Sequence, residues 1–139
     1  MAAIEWDDFF SVNNAEIDAQ HRKWIGIYNE MDDRLLNGDR QSLKTLGEES
    51  LQAMEDYARS HFGFEEEFMH RINYPDIVAH RRLHKDFENR IYQYNREVRE
   101  GKIIFNSTII GIIRNWLIDH ILKEDKKYCQ YATRLAEKP

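Results

Sequence analysis

Five histidines and two acidic residues interrupt the hydrophobic rhythm of this chain: His21, His61, Glu65, His80, His84, His120 and Asp125. A lone histidine on an apolar face is ordinarily a core residue hydrogen-bonded to a neighbour. A carboxylate there is harder to explain, because burial strips its hydration without guaranteeing a partner. Seven such groups would each need a separate partner, whereas a single metal site satisfies them all. Seven ligands exceed the roughly four to six positions of one transition metal. Two octahedral metals offer about twelve positions. Two bridging carboxylates fill four of these, five imidazoles five and a shared oxygen atom two, so about one stays vacant. Mixed imidazole and carboxylate donors suit iron or manganese better than calcium or magnesium.

The elements that must position these groups follow from the breakers. Asn37-Gly38-Asp39, Asn73-Tyr74-Pro75 and Gly101 divide the chain into an arm and four segments. Helices are expected at about 17–36, 41–72, 76–100 and 107–135, after an arm over about 1–16. The arm carries Trp6, Phe9 and Phe10 and is expected to pack along the helices. Pro75 suits a first helical turn, Gly38 and Gly101 suit C′ positions, and Asn106 or Ser107 suits an N-cap. The inward stripes read Ile17, His21, Trp24, Tyr28, Met31, Leu35 on the first helix and Leu51, Met54, Ala58, His61, Glu65, Phe68, Ile72 on the second. On the third they read Ile77, His80, His84, Phe87, Ile91, Tyr94, Val98. Steps of three and four make the seam of a left-handed bundle. Short connections make neighbours antiparallel. The expected fold class is therefore all-α, an up-down-up-down four-helix bundle in one domain spanning 1–139.

The fourth stripe runs Ile109, Ile113, Trp116, His120, Asp125, Tyr128, Ala132, Leu135. The step from His120 to Asp125 is five, which on a regular helix turns Asp125 about 140° away from His120. Either Asp125 reaches round from the flank, or a π-bulge absorbs the extra residue. The rhythm resumes from Asp125 as though it faced inward, which favours the bulge. His70 is a control. It lies nine residues after His61, about 180° round the helix, and should face outward.

Composition removes other classes. Net charge is −5 with no basic stripe, which disfavours nucleic acid. No apolar run approaches the length of a transmembrane helix, so no membrane insertion is expected. The acidic start lacks the charged region of a signal peptide, so a cytoplasmic location is expected. The single cysteine, Cys129, excludes an internal disulfide and a cysteine zinc site. Ferritin-like oxidising centres need two Glu-x-x-His motifs, and the only match, Glu67 to His70, lies on the outward side. The run from His80 to His84 lacks the Glu of a zinc protease. The adjacent His-Asp pair of dimetal phosphohydrolases is absent, because Asp119-His120 has the reverse order.

Together, His21 within IDAQH, His61-x-x-x-Glu65, His80-x-x-x-His84 and His120-x-x-x-x-Asp125 resemble the hemerythrin family. Tyr74-Pro75 and Trp116-Leu117 agree with it, and the likeness runs from about Trp6 to Tyr131. The form resembles the single-domain bacterial branch, the bacteriohemerythrins. The resemblance implies two iron ions per chain with a bridging oxo or hydroxo group. It assigns His80, His84 and His120 to one iron, His21 and His61 to the other, and Glu65 and Asp125 as bridges. It implies reversible binding of molecular oxygen at the vacant position, for transport, storage or delivery. Alternatives on the same site are an oxygen or redox sensor, or a scavenger of iron, nitric oxide or peroxide. With two ferrous ions, two carboxylates and one hydroxide, the formal site charge is only about +1, which favours binding over O–O cleavage and hence a non-enzyme. Trp24, Ile25, Ile113, Trp116 and Leu117 are the expected oxygen pocket, dry apart from indole N–H groups that point inward. Leu117 is expected to shield the oxygen. The expected partners are oxygen and an unidentified oxygen-consuming acceptor protein, with the chain a monomer.

Overall fold

The structure is a computed structural model and describes residues 3–38 and 42–137. Gln41, where the sequence starts its second helix, and Asp39 of the first break lie outside the described residues. So do residues 1–2 of the arm and 138–139 of the expected domain. Helices α1 (Ala15–Asn37), α2 (Leu43–Arg71) and α3 (Ile77–Arg99) follow one another through short connections. The fourth rod is α4 (Ser107–Asp119), a π-helical stretch (His120–Asp125) and α5 (Lys126–Glu137). α2 packs on α1 and α3, and α1 packs on α4, closing an antiparallel four-helix bundle. No helix among the described residues is long and apolar enough to cross a membrane.

Local chemistry sets the helix ends. The Asn14 side chain accepts from the backbone N–H of Glu16 and Ile17, and Asn106 accepts from Thr108 and Ile109. Each satisfies donors that the first turn leaves free. α2 and α3 both stop in Schellman geometry. Asn73 (φ 54°) and Gly101 (φ 74°) take the left-handed position. The closing bonds are Tyr74 N–H to Met69 O and Lys102 N–H to Glu97 O, both 2.9 Å. Two expectations are corrected here. Gly38 is extended (φ −80°, ψ 159°) and not left-handed. Pro75 precedes the N-cap Asp76, so it lies in the turn before α3 and not in its first turn.

Two apolar clusters sandwich a polar layer. One gathers Trp24, Met54, Phe62, Phe87, Ile113 and Leu117 with their neighbours. The other gathers Val12, Ile17, Met69, Tyr74, Tyr128 and Cys129. Ile17, Met69 and Tyr128 lie one turn from His21, Glu65 and Asp125 on one side, and Trp24 and Leu117 one turn from His21 and His120 on the other. The arm is anchored by Ile4 and Val12, with Trp6 and Phe10 half-buried. Phe9 departs from expectation. It is 73% exposed, its ring under the Lys126 ammonium at 4.8 Å. The short 3-10 turn Asp8–Phe10 rotates it off the bundle. Of the expected stripe residues, Leu35, Phe68, Ile72, Ile77, Tyr94, Ala132 and Leu135 are only half-buried, and beside two of them the adjoining Met69 and Asn95 take the buried positions.

Candidate metal centre

α1 delivers His21, α2 His61 and Glu65, α3 His80 and His84, and the π segment His120 and Asp125, all buried. Pairs four residues apart share one helix face, which aligns His61 with Glu65 and His80 with His84. His120 and Asp125 are five apart and meet because a π turn brings residue i+5 beneath residue i. Asp125 Oδ1 is then 3.1 Å from His120 Nε2 and 3.0 Å from His80 Nε2, and Oδ2 is 3.0 Å from His21 Nε2. Glu65 Oε1 lies 3.2 Å from His61 Nε2 and 3.4 Å from His84 Nε2, and Oε2 lies 3.6 Å from His21 Nε2. His70 is exposed.

The donor atoms fall into two overlapping groups. Glu65, His80, His84, His120 and Asp125 form one, and His21, His61, Glu65 and Asp125 the other. Within each, one ligand atom per residue lies within 4.8 Å of all the others. Glu65 and Asp125 belong to both. His21 Nε2, His61 Nε2, His80 Nε2, Glu65 Oε1 and both Asp125 oxygens are buried without an aligned hydrogen-bond partner. His84 Nε2 and His120 Nε2 face each other at 3.1 Å. Buried imidazole nitrogens and carboxylate oxygens that converge on common points are the donor set a cation requires, and so many orphaned polar atoms would otherwise be costly. The residues fit a metal.

Electrostatics within the layer agree. Burial alone would lower the pKa of His21, but the adjoining Asp125 and Glu65 carboxylates outweigh it and raise it to about 9. Burial and mutual repulsion would raise Asp125, yet His120 and His21 hold it below the usual carboxylate range. Glu65 is held low against burial by His61, His21 and His84. Burial lowers His120 despite Asp125.

The expected oxygen-pocket residues lie on the cluster containing Phe62 and Phe87. Trp24, Ile25, Ile113 and Leu117 are buried, whereas Trp116 is half-buried and stacks on His120 with centroids 4.4 Å apart. The Trp24 indole N–H is committed to Met54 Sδ at 3.0 Å. Four contacts escaped sequence reasoning. Tyr128, read only as core, donates its hydroxyl to Glu65 Oε2 at 2.6 Å. Gln20 Oε1 meets His61 Nδ1 at 2.6 Å, and Glu66 Oε2 meets His84 Nδ1 at 3.0 Å. The Phe62 ring lies flat on His84, centroids 3.8 Å apart. Gln20, Phe62 and Glu66 each adjoin a stripe residue, about 100° round the helix, so a one-residue-per-turn reading passes over them. Their adjacency to His21, His61 and Glu65 was the available signal.

Fold and centre together define a four-helix bundle with a buried His/Glu/Asp cluster able to hold a metal. Residues 12–132 match the family described as "Hemerythrin HHE cation binding domain". The chain belongs to the hemerythrin family. It is 31% identical over 128 residues to a bacteriohemerythrin of Stenotrophomonas maltophilia (strain R551-3), covering 92% of this chain and 80% of that protein. A bacteriohemerythrin of Methylococcus capsulatus (strain Bath) is 29% identical, with 92% and 95% covered. A crystal structure of wild-type hemerythrin superposes with a TM-score of 0.83 at 28% identity, covering 93% of this chain and 97% of that one.

Proposed function

We propose that the chain holds two iron ions between His21, His61, Glu65, His80, His84, His120 and Asp125 and binds molecular oxygen reversibly, for transport, storage or delivery. The observation that carries this reading is the pair of buried donor groups sharing Glu65 and Asp125. Three imidazoles serve one group and two the other, which leaves the His21–His61 side short of a donor. An iron pair held by these seven residues would supply the two electrons that reversible oxygen binding needs.

The rest is done by the chain. Glu65 and Asp125, acidic and held ionised by their neighbours, place negative charge between the two groups. Tyr128 fixes one Glu65 oxygen. Trp24, Ile25, Ile113 and Leu117 exclude water beside His21 and His120, and the Trp24 N–H, bonded to Met54, is withheld as a proton source. A largely apolar wall in which the Trp24 N–H is already bonded slows loss of reduced oxygen species, so we read the protein as a binder and not an enzyme. We further infer a cytoplasmic monomer serving an oxygen-consuming acceptor.

The test is iron content combined with absorption spectra, taken anaerobically and then in air. Two irons per chain and a visible band that appears in air and vanishes on deoxygenation support the reading. One metal per chain, or zinc, would refute the iron pair. Irreversible bleaching with release of hydrogen peroxide would favour a scavenger or an oxidase.

A further inference from the structure

His84 is gripped from behind by a charged pair. Its Nδ1 lies 3.0 Å from Glu66 Oε2, and Arg81 Nε lies 3.3 Å from Glu66 Oε1. A carboxylate only accepts, so Nδ1 of the neutral His84 ring carries the proton and Nε2 is the nitrogen left to offer a lone pair toward the centre. His61 is oriented by a neutral version of the same device, the Gln20 amide oxygen 2.6 Å from Nδ1. Among the described residues, His84 is the one imidazole of the centre whose Nδ1 faces a carboxylate. The two donor groups therefore differ by a negative charge placed one ring behind a ligand atom.

Resting on the iron-pair reading above, we propose that Glu66 is an anionic positioning residue that strengthens His84 as a donor and biases the metal position it serves toward the oxidised state. The carboxylate draws on the Nδ1 proton and raises electron density at Nε2, as outer carboxylates do for metal-bound histidines. The Glu66 side chain is 29% exposed, so water screens part of its charge, while Oε2, at 3.0 Å from Nδ1, acts directly on the ring. Arg81 holds the other Glu66 oxygen and keeps the carboxylate aimed at the ring. Gln20 orients His61 without this charge, so the two metal positions are made electronically unequal by residues outside the ligand set.

The experiment compares the wild type with Glu66→Gln, which keeps an acceptor but removes the charge, and Glu66→Ala, which removes both. In metal-free protein, held at a pH high enough that the His84 ring is neutral, nitrogen NMR should show the Nδ1–H tautomer in the wild type and in Glu66→Gln, and a tautomer mixture in Glu66→Ala. In iron-loaded protein, with iron counted in the same samples, a mediated redox titration should show both variants shifted toward the reduced state. The oxidised-to-reduced ratio should change about tenfold at fixed potential, ~59 mV for a one-electron step. Chelator competition should show iron held about 10- to 100-fold more weakly by Glu66→Ala. A Glu66→Gln titration superimposable on the wild type overturns the proposal, as does a wild-type His84 that is already a tautomer mixture. Wild-type protein that takes up no iron pair overturns the preceding reading and this proposal with it, and the iron count identifies that case separately.

Discussion

Leu117 and Tyr128 guard the polar layer from its two sides. Leu117 is fully buried three residues before His120, so its side chain leans over the metal-facing turn. Leu117→Ala should cost about 2–5 kcal/mol of stability. The space it opens should admit water and speed autoxidation of the oxygenated form, read as faster decay of the visible band. An unchanged decay rate would remove Leu117 from the shielding role. Tyr128 donates to Glu65 at 2.6 Å from a fully buried ring. Tyr128→Phe leaves that oxygen without its donor and should destabilise the metal-free protein by about 1–3 kcal/mol, measured by urea unfolding. Equal midpoints for variant and parent would mean that the phenol contributes packing alone.

The fourth rod carries the one irregular stretch of helix at the centre. The π segment His120–Asp125 exists so that a step of five returns Asp125 to the face of His120. Lys123 is its exposed residue. Deleting Lys123 shortens the step to four, which a regular α-helix accommodates, while α5 keeps its face toward the bundle. The deletion should preserve helix content by circular dichroism and leave the metal-free melting temperature no lower than before. A step of four returns the carboxylate to the His120 face, as it does for Glu65 and His61, so the variant should still load iron through the carboxylate that reaches three histidines at 3.0–3.1 Å. Loss of iron from the deletion variant would show that the widened turn itself sets the aim of that carboxylate.

The whole molecule carries the centre as a stability burden that metal relieves. Metal binds the folded chain and not the unfolded one, so loading should raise the melting temperature. The effect should depend on pH in a defined direction. His21 rises from 6.5 to about 9 on folding without metal. The folded chain therefore binds that proton more tightly, and the contribution is complete below about 6.5 and lost as pH climbs through 9. His84 is shifted the same way, its burial outweighed by Glu65. The metal-free melting temperature should thus fall between pH 6.5 and 9, while the loaded protein, in which metal replaces the proton, should not follow it. Glu65 and Asp125 are held low against burial, and their contribution is present above their ordinary values and lost as pH falls through the lowered ones. Iron uptake near pH 7.5 should release protons, measurable by calorimetry in buffers of different ionisation enthalpy. Parallel melting curves for the two forms across this range would refute the raised pKa of His21.

The bundle and the seven polar groups in its seam were legible from spacing, because helical periodicity assigns every residue a face whatever lies opposite. The step from His120 to Asp125 even announced the π segment, since a rhythm that breaks by one residue and then resumes needs one widened turn to absorb the extra residue. Phe9, predicted to pack, shows the limit. A three-residue turn in the arm sends it to solvent, and no periodicity operates over so short an element. The same limit hides the partners of the centre. Gln20 behind His61, Glu66 and Arg81 behind His84, and Tyr128 on Glu65 are relations across helices. They depend on how the rods are rotated and how far apart they stand, which side-chain packing in three dimensions decides. One sequence states which residues turn inward; only the assembled bundle determines which of them touch, and therefore which histidine has a charge at its back.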